Sequence, residues 1–413
     1  MRRIAVLVAA ILVLPAAALA QSTAWVQQFG TPEYEEVWGS LVVDQTLYVS
    51  GWTDGTLDGQ TGEGSGDGLL LAYDLDGNEL WTVQFGTDGP DQAWSLATDG
   101  TGLYVTGVTG GTFPGQVASG DMDAFVAKFD FDGTELWVTQ FGTGRFDLGS
   151  NVVADASGVY VLGATQGRFP GQERQGEQDA FHAHLDADGN LIAAVQFGSP
   201  DGDFGFINAI GPDGIYVNGY TFGQMGETHR GGVDAFVALF APDDSMTWLR
   251  QFGTRGDDFG YGLAADATGV YVTGETSGRL KGQPDRGDRD AFARLLSSVD
   301  GSTVWTRQFG TGSYDVSFGA ALSGGELYAI GATSGRFRSQ VQLGRGDAFV
   351  QAMDASTGAK IWTHQFGTDR ADSGYAGWVD AGAIYVVGWT RGAFPGFEPL
   401  GSADALVARI DPP

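Results

Sequence analysis

The chain has 413 residues, with 22 Lys and Arg against 51 Asp and Glu and a formal net charge of −29. That balance excludes a nucleic-acid partner, because phosphate binding rests on clustered cations. The absence of cysteine excludes disulfides, thiolate metal sites and cysteine nucleophiles together. With 67 glycines and 12% aromatic residues, few stretches carry a helical apolar period, and an all-β chain is expected.

The first segment, MRRIAVLVAAILVLPAAALA, combines two arginines, an apolar run and a small-residue ending at Ala20. It reads as a secretory signal peptide, too short from Ile4 to Leu14 to span a bilayer. Its removal leaves 20 basic and 51 acidic residues, a net charge of −31. The expectations are export to the cell exterior or periplasm, no membrane span after cleavage, and a monomer.

From Gln21 onward the chain repeats itself. QFGT occurs at Gln28, Gln84, Gln140, Gln251, Gln308 and Gln365, and QFGS at Gln196, spaced 55 to 57 residues apart. A period of this length implies stacked supersecondary units rather than independent domains. Residues 21–413 are therefore expected to form one domain of seven repeats. Twenty residues after each glutamine stands a tyrosine, from Tyr48 to Tyr385, opening runs such as YVSGWT and YVVGWT. Near the end of each unit an aspartate, from Asp67 to Asp404, usually opens Asp-Ala-Phe.

Four short runs per unit read as strands. The first is small and apolar, as at Asn151 to Asp155 or Gly262 to Asp266. The others are the tyrosine run, the Asp-Ala-Phe run and the glutamine run. Tight turns such as Asp132-Gly133 separate them, except after the second strand, where about a dozen residues such as GRFPGQERQGEQD intervene. The glutamine strand appears first, at Trp25 to Phe29, and is missing at the end. An open solenoid needs atypical caps at both ends, whereas a ring needs its first and last pieces to share a unit. The expected architecture is a seven-bladed β-propeller of four antiparallel strands per blade, with the N-terminal strand closing the last blade.

The phrases W-x-x-Q-F-G-T, Y-V-x-G-x-T and G-D-A-F-V-A-x-x-D resemble the bacterial seven-bladed beta-propeller repeat (SBBP) family over residues 22–413. The resemblance implies the fold and an exported location; it implies no single activity. One further phrase, Asp354 to Trp362, resembles the tryptophan-docking repeat of quinoprotein dehydrogenases, but it occurs once and reads as a hairpin turn.

Strand order places the long loops and the connectors between blades on one face, the top, and the tight hairpins below, too short to enclose much. Seven residues after each glutamine stands an acid: Glu35, Asp91, Asp147, Asp203, Asp258, Asp315 or Asp372. This ring is placed at the channel mouth, just before the inner strands. It could hold a hard cation such as Ca²⁺, or each acid could accept backbone N–H bonds and fix a turn. Sevenfold repetition favours the turn, and no cofactor is required.

Function is sought where repeats differ. Arg168, Arg230, Arg279, Lys281, Arg286, Arg336 and Arg338 form part of a basic arc on the top loops of blades three to six, with Arg145, Arg255 and Arg370 nearby. Arginine forks suit carboxylates, sulfates and phosphates; the alternative is solvated loops paired to neighbouring acids. Trp52, Tyr220 and Trp389 break the tyrosine motif, and Trp52 with Trp389 could stack on a sugar or pack between blades. His182 and His184 face one side of a strand, as zinc ligands would, without a third ligand in sight. The resulting expectation is a non-catalytic binding or scaffold module for a glycan or protein surface. The alternative is a glycan-active hydrolase or lyase using top-face carboxylates.

Overall fold

Seven four-stranded antiparallel sheets make up the described residues, 21–413, of the computed structural model. The leader expected over residues 1–20 lies outside them. Blade one runs from the inner strand Glu35–Val43 through Thr46–Thr53 and Asp67–Asp74 to the outer strand Glu79–Phe85, and the other blades repeat the plan. The second and third strands are buried along almost their whole length, because adjacent blades cover both sheet faces. Their near-continuous apolar runs follow from that cover.

Ring closure occurs as the terminal strands require. Ser22–Phe29 pairs antiparallel with Asp404–Asp411 as the outer strand of blade seven, giving the order that ends on the inner strand Asp372–Asp380. Gln28 repeats the contacts of the internal glutamines: its Nε2 donates to Asp404 Oδ2 at 2.7 Å and to the Gly392 carbonyl at 2.8 Å, and Phe394 N–H donates to its Oε1 at 3.0 Å. Gln140 does the same for blade two, reaching Asp123, Gly111 and Phe113. The invariant glutamine is thus a clamp that fastens the base of each long top loop to the third strand.

Outer strands also lock successive blades at the bottom. The indole N–H of Trp25 donates to the Leu75 carbonyl in the hairpin of the next blade, and Trp248 and Trp305 reach Ser298 and Ala355 in the same way. The hairpin glycine Gly77 has φ +88°, and a Cβ there would lie 2.8 Å from the Trp25 ring. Backbone conformation and close approach both demand glycine. Asp354 to Trp362 forms one of these hairpins.

The inner strands start earlier than the sequence pattern suggests. They run Asp147–Asp155 and Asp258–Asp266, so the ring acid is the first strand residue rather than part of the connector. A register shift three to five residues along, as between Gly149 and Asn151, breaks the alternation and hides this start. The residues skipped in the seven shifts are Trp38, Trp94, Ser150, Phe206, Tyr261, Phe318 and Tyr375. Six of them are aromatic and they meet: Trp38 stacks on Tyr375 at 4.0 Å and on Trp94 at 5.2 Å, while Phe318 meets Tyr375 edge-on at 5.0 Å and Tyr261 at a tilt at 5.2 Å. The central channel is crossed by an aromatic tier.

The space beneath that tier is bounded by strands rather than by hairpins. A void of about 420 Å³ is lined by the lower halves of all seven inner strands, from Leu41 to Val379. No hairpin residue lines it, and small side chains make up much of its wall, among them Ala97, Ala209, Ala264 and Ala321.

Candidate functional site

The acidic ring sits in the blade junctions. Asp91 accepts the Thr87 N–H at 2.6 Å and the Thr87 hydroxyl at 2.9 Å on one oxygen. Glu35 accepts the N–H of Thr31 at 2.8 Å and the hydroxyl of Thr53 at 2.7 Å. The threonine of QFGT and the threonine of Y-V-x-G-x-T therefore exist to hold this acid. All seven are buried, with relative exposures of 0 to 2%. Their N–H groups tie to the preceding blade, as Asp91 N–H does to the Gly66 carbonyl at 2.8 Å.

A second carboxylate faces each of them across the glycine of QFG. A Cβ on Gly86 would lie 2.7 Å from both Asp67 Oδ1 and Asp91 Oδ2, which explains the fixed glycine. Burial raises the ring acids above the usual carboxylate range, the threonine hydrogen bonds oppose it, and the facing aspartate adds to it; Asp203 and Asp372 are pushed up to about 6. The ring acids do not converge as a common cage. Among the described residues, no three His, Asp or Glu side chains are placed to hold a metal ion. The geometry is that of seven turn-fixing acids, each serving its own junction.

The top of the channel carries the aromatic exceptions, but not as a pair. Trp52 is buried, stacked on Trp38 at 6.0 Å and on Trp94 at 6.1 Å. Trp389 donates its indole N–H to Tyr375 Oη at 2.6 Å and lies under the guanidinium of Arg391 at 5.1 Å. Tyr220 stacks on Phe204 at 5.4 Å. Two non-repeated glutamates lie among these rings. Glu36 is pushed up to about 7 by burial, which outweighs the opposing influence of the nearby Tyr34, Tyr375 and Trp38 polar groups. Glu275 is paired with Arg289 at 2.6 Å. With exposures of 6% and 3%, neither offers a carboxylate to a bound substrate.

The basic arc resolves into unequal parts. Arg230, Arg279 and Lys281 line one open cleft of about 740 Å³ between blades four and five, joined by Arg255 and by Gly253, Thr254, Gly256, Ser277 and Gly278. All four cationic side chains are exposed. Among the described residues no ion pair joins any of them to a carboxylate; the arginine pairs present belong to Arg250, Arg289 and Arg409. Arg279 is oriented by its Nε, which donates to the Gln283 carbonyl at 2.6 Å. Arg168, Arg286, Arg336 and Arg338 are exposed and line no part of this cleft. A neighbouring cleft of about 750 Å³ holds Arg145 and Arg174, but Glu177 and Asp201 share its lining.

His182 and His184 do share a side, and both reach one carboxylate. Asp244, in the bottom hairpin of the next blade, receives His182 Nε2 at 3.3 Å and His184 Nδ1 at 3.0 Å. Burial would raise Asp244, but the hydrogen bonds from both histidines outweigh it and hold it below the usual range. Burial lowers His182, and the three side chains clamp blades three and four together.

Residues 247–281, from the outer strand of blade four into blade five, match the beta-propeller repeat (SBBP) family, and seven blades close the ring. The chain is a seven-bladed β-propeller bearing the SBBP repeat. It is similar to the regulatory protein FlaEY of Caulobacter vibrioides, 27% identical over 304 residues. That match covers 64% of this chain and 32% of the relative, so the SBBP propeller spans about a third of the relative's length. Among solved structures it resembles the WD40 propeller domain of Doa1, with a TM-score of 0.55, 11% identity and coverage of 96% and 98% of the two chains. It also resembles the Neurospora crassa Pan2 WD40 domain, with a TM-score of 0.53, 10% identity and coverage of 94% and 97%. Quinohemoprotein alcohol dehydrogenase from Comamonas testosteroni shares the fold at a TM-score of 0.51 and 13% identity, covering 94% and 76%. At these identities the likeness is one of fold.

Proposed function

We propose that this propeller is an exported, non-catalytic binding module that holds an acidic glycan, carboxylated or sulfated, in the top cleft between blades four and five. One observation carries the reading: four exposed cations without ion-pair partners surround a single cleft on a chain of net charge −29. What sets this cleft apart is that its four cations share a lining that holds no carboxylate, unlike the neighbouring cleft with Glu177 and Asp201. Guanidinium forks meet carboxylate and sulfate groups with two parallel N–H bonds, and the glycine-rich walls leave backbone close to the ligand. A shallow cleft of this kind suits a chain laid across it better than a buried metabolite.

The hydrolase or lyase alternative would draw its acid and base from top-face carboxylates. The seven ring acids are already bonded to connector threonines or, for Asp203, to Ser199; Glu36 is buried beside Tyr34, Tyr375 and Trp38, and Glu275 is buried and paired with Arg289. Export rests on the leader sequence alone, and a monomer remains part of the proposal.

The test is calorimetric titration with polygalacturonate, a sulfated galactan and a neutral glucan, repeated with Arg279→Ala and Arg230→Ala. Binding to either acidic polymer, absent for the glucan and weakened about tenfold or more by each substitution, is expected from the loss of a charge-assisted contact. Equal binding to the neutral glucan, or no effect of both substitutions, would refute the site.

A further inference from the structure

We propose that the lower half of the central channel is a second binding site, for a small, flat, uncharged molecule of one or two aromatic rings, stacked against Trp378. The void there measures about 420 Å³ and none of its lining residues is ionisable, although the chain holds 51 acids. Ions therefore have no counter-charge in it. Thr98 and Asn208 are its polar side chains, and the Asn208 amide already donates to the Tyr160 carbonyl at 3.0 Å.

Shape narrows the ligand further. The ceiling is the aromatic tier, with Trp38, Phe206, Phe318 and Tyr375 around a small second void of about 110 Å³ beside Ser150. In the column thirteen residues after each glutamine, blades two, four, five and six carry Ala97, Ala209, Ala264 and Ala321 and blades one and three carry Leu41 and Val153, whereas blade seven places Trp378 there. That indole is 42% exposed, although the other large aromatics of the channel are stacked among themselves. An aromatic ring left open on the wall of an apolar void provides a stacking partner. An engineered apolar cavity of about 150 Å³ takes benzene, so this larger void has room for a bicyclic ring. The inner strands each end their sheets, leaving one edge towards the axis, and those backbone groups can bond a ring N–H or hydroxyl. The site is independent of the top cleft, from which the aromatic tier separates it.

The probe is N-phenyl-1-naphthylamine, whose emission rises in apolar surroundings, with indole as competitor. Saturable emission displaced by indole is expected. Trp378→Ala should weaken it about three- to tenfold through loss of stacking, and Ala264→Phe should abolish it by filling the void. Thermal melts check that each variant folds, and Ala209→Leu serves as the filling variant if Ala264→Phe does not. No saturable response, or one unchanged in both Trp378→Ala and the folded filling variant, would overturn the proposal. Acidic-glycan titrations on Trp378→Ala keep the two sites apart, since only the lower one should respond.

Discussion

Acidification should stabilise this propeller before it unfolds it. Asp203 and Asp372 are 1% and 2% exposed and are raised from 3.8 to about 6, burial being the main cause. A carboxyl whose folded pKa exceeds its unfolded one binds more protons in the native state between those values, so stability falls as pH rises through that window. At about 1.4 kcal/mol per unit, each of the two costs roughly 3 kcal/mol above pH 6 as an upper bound. Glu35, Asp91, Asp147, Asp258 and Asp315 shift in the same direction. The hairpin aspartates Asp74, Asp186 and Asp354 are lowered by hydrogen bonds from their own turns; their contribution is present above the unfolded value of 3.8 and is lost below it. The stability maximum should therefore lie near pH 4 to 5. Calorimetric melts from pH 3.5 to 8 at constant ionic strength provide the assay, with Asp203→Asn as the control that separates the ring acid from the overall negative charge. The variant should melt higher than the parent at pH 7.5 and lose part of the gain between pH 7.5 and 5. A parent Tm that climbs steadily from pH 4.5 to 8, or an Asp203→Asn profile parallel to it, would refute the reasoning.

Deleting residues 22–30 should cost about 5 kcal/mol or more, from the packing of Trp25, Val26 and Phe29 and the bared edge of Asp404–Asp411. A Tm loss on the order of 10 °C is expected by thermal unfolding, and an unchanged melt would contradict closure through the N-terminal strand. Gly142→Ala should destabilise by about 1–3 kcal/mol, because its Cβ would lie 2.7 Å from Asp147 Oδ2 and 2.9 Å from Asp123 Oδ1. Gly144→Ala, whose nearest contact would be 4.0 Å, is the matched control in the same denaturant titration. Asp244→Ala strips the shared partner from His182 and His184; a loss of about 1–3 kcal/mol is expected by denaturant unfolding, with amide exchange rising at the junction of blades three and four.

Ring number, strand order and closure could be read from the repeat because each depends on position in the period. The glutamine, threonine, glycine and aspartate columns recur since every blade needs the same clamp, and a need repeated seven times is visible without coordinates. The aromatic tier escaped because a bulge set its residues out of phase with strand alternation. Its signal was nonetheless present ten residues after each glutamine, where six of the seven residues from Trp38 to Tyr375 are aromatic. Trp52 and Trp389 illustrate the opposite case: adjacency of blades suggested a pair, but each found a nearer ring or hydroxyl. Which basic residues converge was also invisible, since loop tips do not follow the period. Arg230 and Arg279 share a cleft while Arg336 stands outside it.

The fixed columns and the variable tips are linked by one physical dependence. Gln251 holds Asp234 Oδ2 and the Gly223 carbonyl at 2.9 Å each, and receives the Met225 N–H at 2.8 Å. Gln308 grips Asp290 at 2.7 Å and the Gly278 carbonyl at 2.9 Å. These bonds fasten both ends of the loops that bear Arg230 and Arg279, and they do so through backbone groups and an invariant acid. The residues between the fastenings are consequently free to change without loss of the ring. A loop whose base is rigid holds its tip charges at lower entropic cost than a free loop would. The phrase repeated seven times thereby prepares the ground for the residues that are not repeated, and the basic cleft stands where two such fastened loops adjoin.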